Sequence, residues 1–395
     1  MGLFTRLFER KERSPFNITD GVLIRCREGL EISVTVPEGV TAIGEKAFDS
    51  CRSVASIALP DTVRDIGGNA FRGCSALTEV QIPEGVRELG DGAFFGCTAL
   101  GSVGLSESLE RMGDNAFSYC TTLSAVTLPS RVASAGEMCF YGCSALSSLT
   151  LPEGLENIGR LAFSGCKSLD TVKLPDGLKT LGEGAFSDCE RLTSVSFPEG
   201  LERIGDEAFS QCCRLGAIVL PESVKSVGKQ AFSYCGDAKR LALLSLDTEI
   251  AEDSFRSCPS LTELVLGGTY LRASHALDTW QIIAFVRALR TRDLSEVKRS
   301  ELYPQLVVGL YLMSGDNRLG AEARSLSREV CEMLIENKRF GELGRILSAG
   351  LVSSSELNGL IAFAIEKNVP EMYVTLTRFK DESTGYSGGG ERFEL

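Results

Sequence analysis

Histidine is nearly absent: His275 is the single one in 395 residues. Imidazole chemistry is confined to that position, which removes most histidine-based catalysis and most histidine metal sites. Tryptophan is as scarce, with Trp280 alone. No apolar run reaches the ~18 residues that span a membrane; Gln305–Met313 is among the longest. Residues 1–13 mix Leu and Phe with charges and lack the continuous apolar core of a secretory signal. Basic charge is also short: 41 Lys and Arg face 53 Asp and Glu, a formal net charge of −12. That argues against non-specific nucleic-acid binding. Neither a transmembrane segment nor a nucleic-acid partner is expected.

Cysteine, by contrast, is abundant, with 14 residues. Ten of them lie 23 residues apart: Cys51, Cys74, Cys97, Cys120, Cys143, Cys166, Cys189, Cys212, Cys235 and Cys258. A phenylalanine stands three residues before each, from Phe48 to Phe255. A fixed period of this size predicts a solenoid, in which each unit buries its apolar face against its neighbours.

One unit shows the physics. Val80 and Ile82 alternate with Glu79 and Gln81 as an inward-facing strand. Pro83 ends the strand, because proline has no N–H for the ladder. Glu84-Gly85 makes a corner, and Val86 and Leu89 turn inward again. Gly90 is expected to permit a bend into a helical turn that carries Ala93, Phe94 and Cys97 on one face. The glycine recurs from Gly44 to Gly228, and the proline from Pro37 to Pro221, with Ser106 and Leu244 in its place twice. Residues 236–251 depart most from the pattern: Ala238 replaces the leucine and Ala251 the glycine. A distorted coil is expected there.

The pattern A-F-x-x-C-x-x-L-x-x-V-x-L-P-x-x-V-x-x-I-G resembles the BspA-type leucine-rich repeats. Phe16–Ile24 followed by Val34–Val40 is similar to that family's N-terminal hairpin. The resemblance covers residues 16–271. It implies a right-handed leucine-rich-repeat-type solenoid, an α/β repeat fold of short parallel strands and helical turns, used for protein binding. Many members of the family are surface or secreted proteins of host-associated microbes, some of them adhesins.

Three columns invite a functional reading. The cysteines occupy apolar positions beside Phe and Leu, so buried free thiols are expected in preference to disulfides or a metal site. With no signal segment, free thiols point to a reducing, cytoplasmic compartment. Acidic residues follow the proline position (Glu38, Asp61, Glu84, Glu107, Glu153) and the glycines (Asp91, Asp114, Glu137, Asp206). Turn chemistry accounts for them better than calcium does. The outward strand positions form the largest surface. Glu79, Gln81, Ser102, Thr127, Ser148, Thr150, Thr171, Lys173, Ser194 and Ser196 are the candidate protein-binding face. It lacks the aromatic anchors that usually dominate hot spots. No catalytic, metal-ligating or cofactor-binding residue is identified, and no cofactor is expected. Gly228-Lys229-Gln230 lacks the upstream glycine and the Ser/Thr of a phosphate loop.

After the repeat, residues 272–380 read as an all-α region. Trp280, Ile283, Ala284, Arg287 and Ala288 form a stripe at helical spacing. Further helices are expected at about 303–313, 321–336, 340–348, 355–367 and 370–380. The last two resemble an ankyrin-type helix pair. His275 and Trp280 are expected to pack or cap. Residues 381–395 read as a disordered tail. Residues 1–15 read as an amphipathic or disordered segment, for which peripheral membrane contact through residues 1–13 is the less favoured alternative. The expected function is a non-enzymatic protein–protein interaction scaffold. The alternatives are an exported or surface adhesin, and an enzyme with an unrecognised site in the helical region.

Overall fold

A computed structural model of the chain describes residues 16–26 and 32–384. The N-terminal segment and residues 385–395 of the expected tail lie outside the described residues. The last helix, however, reaches Thr384, four residues into the segment read as tail.

The chain divides into two compact units: residues up to 240 with 247–261, and residues 241–246 with 262 onward. The first is a β-solenoid. Each coil contributes a three- or four-residue strand, a corner and a two-residue strand. Glu79–Gln81 pairs in parallel with Ser102–Gly104, and Glu88–Leu89 with Arg111–Met112, each one period away. Alternation explains the register: Val80 is 4% exposed, whereas Glu79 and Gln81 face solvent. At the N-terminal end Phe16–Thr19 and Val22–Cys26 form an antiparallel hairpin through Asp20-Gly21, both at positive φ. The second strand of the hairpin pairs in parallel with Ala42–Ile43, so the hairpin begins the two-residue ladder.

The segment carrying the phenylalanine is a run of tight turns whose amides alternate in direction. Gly92, Phe94 and Gly96 donate to Asp114, Ala116 and Ser118 of the next coil. The intervening Ala93, Phe95 and Cys97 donate within the coil to Gly90, Gly92 and Phe94. A helix sends every amide inward along its own axis; here half of them bind coil to coil. In every coil but the last, the alternation places two residues in the left-handed region, one just before the pair ending in phenylalanine and one just after it. They are Gly92 and Gly96 here, but Leu161, Met138, Glu207, Tyr119 and Tyr234 in other coils.

The recurrent glycine after the second strand is not in that region. Its role is close approach, since a Cβ on Gly90 would lie 2.4 Å from the Gly68 nitrogen and one on Gly113 2.6 Å from the Asp91 nitrogen. The expected bend at Gly90 is thus replaced by backbone-to-backbone contact between coils.

The phenylalanines form the centre of the core. All ten from Phe48 to Phe255 are at most 1% exposed. Neighbouring rings are stacked with centroids 4.9–5.6 Å apart and planes within 13° of parallel. Each stacked pair adds about 0.5–1.5 kcal/mol to the burial of the ring itself. Phe16 of the hairpin meets Phe48 edge-on at 6.4 Å and covers the first ring.

The irregular residues 236–251 fall where the units divide. Glu249–Ile250 still pairs in register with Ser226–Val227, while residues 241–246 belong to the second unit. In that unit Glu263–Leu266 and Thr269–Arg272 form an antiparallel hairpin through Gly267-Gly268. Six helices follow: α1 (Thr279–Thr291), α2 (Tyr303–Ser314), α3 (Gly320–Glu336), α4 (Phe340–Ser348), α5 (Ser354–Glu366) and α6 (Pro370–Thr384). Asp278 with Gln281, and Ser353 with Glu356, close capping boxes on α1 and α5. Gln305 of α2 bonds both the amide and the carbonyl of Arg272, which seats α2 on the hairpin. The expected stripe on α1 is displaced. Ile282, Phe285, Val286 and Leu289 are buried with Ala284 and Ala288, whereas Trp280 is 70% exposed.

Candidate functional site

All ten residues of the candidate strand face are exposed. They do not form one unbroken ladder. Among the described residues, the strands from Ser33–Thr35 to Ser102–Gly104 pair as a set of four. Ala125–Thr127 pairs with Ser148–Thr150, and Thr171–Lys173 with Ser194–Ser196, as separate twos. Thr127, Ser148 and Thr150 therefore share one small sheet, and Thr171, Lys173, Ser194 and Ser196 another. Glu79, Gln81 and Ser102 line an open concavity of about 430 Å³ together with Ser56, Asp61 and Gly104. Gly104 keeps this floor flat: a Cβ there would lie 1.8 Å from Gln81 Oε1. Lys173 reaches Glu153 at 3.9 Å, an exposed pair of small energetic weight.

The cysteine column lies inside, with all 14 thiols free. From Cys74 onward each Sγ–H donates to the carbonyl of the phenylalanine one coil earlier. Cys74 reaches Phe48 and Cys97 reaches Phe71, both at 3.1 Å, and the series continues to Cys258 on Phe232 at 3.1 Å. In seven of these nine coils the same carbonyl also accepts the backbone N–H of the cysteine in its own coil, as Phe94 does from Cys97 at 3.2 Å. Both lone pairs of a buried oxygen are thereby used. Burial pushes these thiols up, Cys97 and Cys143 to about 12 and Cys258 to about 11. They are inert packing groups.

The acidic columns serve the turns. Asp91 Oδ1 accepts the Asp114 amide at 2.9 Å, Asp114 Oδ1 the Glu137 amide at 2.8 Å, and Asp206 Oδ1 the Lys229 amide at 2.8 Å. Each carboxylate satisfies an amide of the next coil. Among the described residues no group of three His, Cys, Asp or Glu side chains is arranged to hold a metal ion.

A cluster that the sequence reading missed lies on the turns beside the phenylalanine column. Phe95 and Tyr119 meet edge-on at 5.5 Å, Tyr119 and Tyr141 at 5.3 Å, and the Arg72 guanidinium stands over Phe95 at 5.4 Å. Tyr119 is 43% exposed. Aromatic rings and arginine, already ordered against one another, are the residue types that dominate binding hot spots. Positions 72, 95 and 141 share one column of the repeat, where Ser118 stands in the intervening coil, and Tyr119 belongs to the next column, so the column alone does not reveal the cluster.

In the second unit, Ser274, His275 and Glu301 come together. Ser274 donates its amide and hydroxyl to Glu301 at 2.9 and 2.5 Å, and His275 Nδ1 lies 3.3 Å from both Glu301 Oε1 and Ser274 Oγ. A catalytic relay needs the carboxylate on one ring nitrogen and the nucleophile on the other. Here both meet Nδ1, and the serine is bonded directly to the carboxylate. The group ties the chain before α1 to the start of α2, but His275 itself is exposed and does not show the packing expected of it. Trp280 does not pack as expected and stands in solvent. A small space lined by Thr269, Gln305, Val308 and Gly309 has a volume of about 30 Å³, room for a water molecule. Among the described residues no helix is long and apolar enough to cross a membrane.

The family model for the BspA-type leucine-rich repeat region matches residues 28–147 and 134–262, in six copies. The chain belongs to the BspA-type leucine-rich repeat family. Its similarity to a leucine-rich repeat protein of Bacteroides ovatus is 32% in identity, with 63% of this chain and 68% of that one covered and a TM-score of 0.59. A leucine-rich repeat protein of T. pallidum is 30% identical over 51% of this chain and 86% of that one, with a TM-score of 0.41. A leucine-rich cell surface protein of Faecalibacterium prausnitzii is 22% identical over 68% of this chain and 95% of that one, with a TM-score of 0.36. No curated protein matches the chain. The matched residues hold the paired strands and the Phe and Cys columns; the hairpin at 16–26 precedes them.

Proposed function

We propose that the chain is a non-enzymatic protein–protein interaction scaffold, in which stacked coils hold binding groups at fixed spacing. The observation that carries this reading is the Arg72–Phe95–Tyr119–Tyr141 cluster, in which Arg72 and Tyr119 are exposed and Phe95 and Tyr141 half-buried. Ordering long side chains costs entropy on binding, and side chains held against one another before the encounter pay less of it. Coil-to-coil hydrogen bonds fix the backbone beneath the cluster. The strand face around Glu79, Gln81 and Ser102 is a second, more polar contact area, suited to the rim of an interface. Free buried thiols favour action in a reducing compartment such as the cytoplasm.

The test is affinity capture of the full chain from its native cells, followed by binding of the recovered partner to variants. Tyr119→Ala is expected to weaken binding tenfold or more without changing the denaturation midpoint by a comparable margin. Thr150→Ala is expected to change it little. Equal binding by the wild-type chain, Tyr119→Ala and a double Phe95→Ala/Tyr141→Ala variant would remove the cluster from the interface. Fractionation of the same cells checks the compartment, and recovery outside intact cells would contradict the cytoplasmic placement.

A further inference from the structure

The cysteine ladder changes character at its first rung. From Cys74 onward each thiol has a phenylalanine carbonyl of the preceding coil to bond. Cys51 belongs to the first coil, so no earlier coil supplies that carbonyl. Its Sγ lies instead 2.8 Å from Sγ of Cys26, the last residue of the hairpin strand Val22–Cys26. That is well inside the ~3.5–4.0 Å at which non-bonded carbon atoms pack. None of the other thiol contacts described above is sulfur to sulfur. The backbone fixes the approach from both sides. The hairpin strand pairs with Ala42–Ile43 of the first coil, and the Cys26 amide donates to the Ala47 carbonyl at 2.9 Å. Cys26 is buried at 7% exposure, while Cys51 is half-buried and reachable from solvent.

We propose that Cys26 and Cys51 form a reversible disulfide that staples the N-terminal hairpin to the first coil, made by exchange with a low-molecular-weight disulfide. The Cys51 thiolate attacks one sulfur of the small disulfide and expels the first small thiolate, leaving a mixed disulfide on Cys51. The Cys26 thiolate then attacks the Cys51 sulfur and expels the second small thiolate. The two protein thiols lose two protons and two electrons in total, and both small thiols leave reduced. The division of roles follows from the site. The Cys26 hydrogen bond and the nearby Arg25 favour the thiolate of Cys51, whereas that bond and burial hold Cys26 protonated until the mixed disulfide forms. The ladder thiols do not compete, since each is buried and bonded to a carbonyl. The staple would hold Phe16 against Phe48, where the phenylalanine column ends, so its state sets how firmly that end is closed.

The experiment uses the full chain with Cys213→Ser, which removes the exposed cysteine, incubated natively with oxidised glutathione and mapped by mass spectrometry. The expected result is the loss of two thiols per chain, a Cys26–Cys51 cross-linked peptide, and full reversal by reduced glutathione. Cys26→Ser in the same background should stop at one glutathione on residue 51, and Cys51→Ser should take up none. Retention of all thiols would overturn the proposal, as would a glutathione adduct on Cys51 that Cys26 fails to displace, or a disulfide drawn from the ladder.

Discussion

Cys97 Sγ lies 3.1 Å from the carbonyl oxygen of Phe71, in the coil before its own. This bond explains why the column is cysteine and not alanine or valine: the site needs a small apolar group that also carries a weak donor. Cys97→Ala removes both the sulfur contacts and the donor. It is expected to cost about 1–2 kcal/mol, measured as a lower urea midpoint. An unchanged midpoint would show that the thiol contributes nothing beyond its space.

Phe163 is stacked on Phe140 at 5.4 Å and on Phe186 at 5.3 Å, with no exposed surface. Phe163→Ala should cost about 3–5 kcal/mol, through lost burial and the cavity left in a stack that cannot collapse along its axis. Chemical denaturation reads this directly, and a loss under 1 kcal/mol would place the core elsewhere.

Two backbone substitutions should act in opposite directions. A Cβ at Gly90 meets the Gly68 backbone, so Gly90→Ala is expected to destabilise by about 1–3 kcal/mol. Glu207 is exposed with φ of 54°, a conformation costly for side-chain-bearing residues, and among the described residues its carboxylate has no hydrogen-bond or ion-pair partner. Glu207→Gly should stabilise by about 0.5–1 kcal/mol, the relieved strain being partly offset by greater freedom of the unfolded chain. Matching signs for the two would contradict the account of the turns.

The thiols also set an alkaline limit. Folding raises Cys97 and Cys143 from 9.0 to about 12 and Cys258 to about 11. The native state therefore keeps protons that the unfolded state sheds. This contribution is complete below about pH 9 and is lost as pH rises from there through the folded values. Each such thiol removes about 1.4 kcal/mol per pH unit over that interval, so the urea midpoint should hold up to about pH 8 and fall steeply from about pH 9 to about pH 11. A flat profile would mean that the thiols titrate normally in the native protein.

Much of the fold was legible in the sequence because two residue types, Phe and Cys, hold one register for ten coils. The turn geometry was not. Left-handed positions are usually announced by glycine, and here they also carry Leu161, Met138, Glu207 and Tyr119, held by hydrogen bonds from adjacent coils. The glycine that was read as a bend is a point of close approach, a distinction visible only once coils are stacked. The helices were placed within a few residues because apolar residues at helical spacing are a local signal. The face of α1 was misread because Trp280 was counted as a core residue. The Arg72–Phe95–Tyr119–Tyr141 cluster and the Cys26–Cys51 contact both stayed hidden, since neither follows a single column of the period.

The scaffold reading is tested most directly by photo-cross-linking in the native cells, with a photoreactive amino acid placed singly at Tyr119, Gln81 and Glu207. The account predicts cross-links to one recurrent protein from position 119, weaker ones from position 81, and none from the turn at 207. Equal, unselective labelling from all three positions, or no protein adduct at 119, would contradict it.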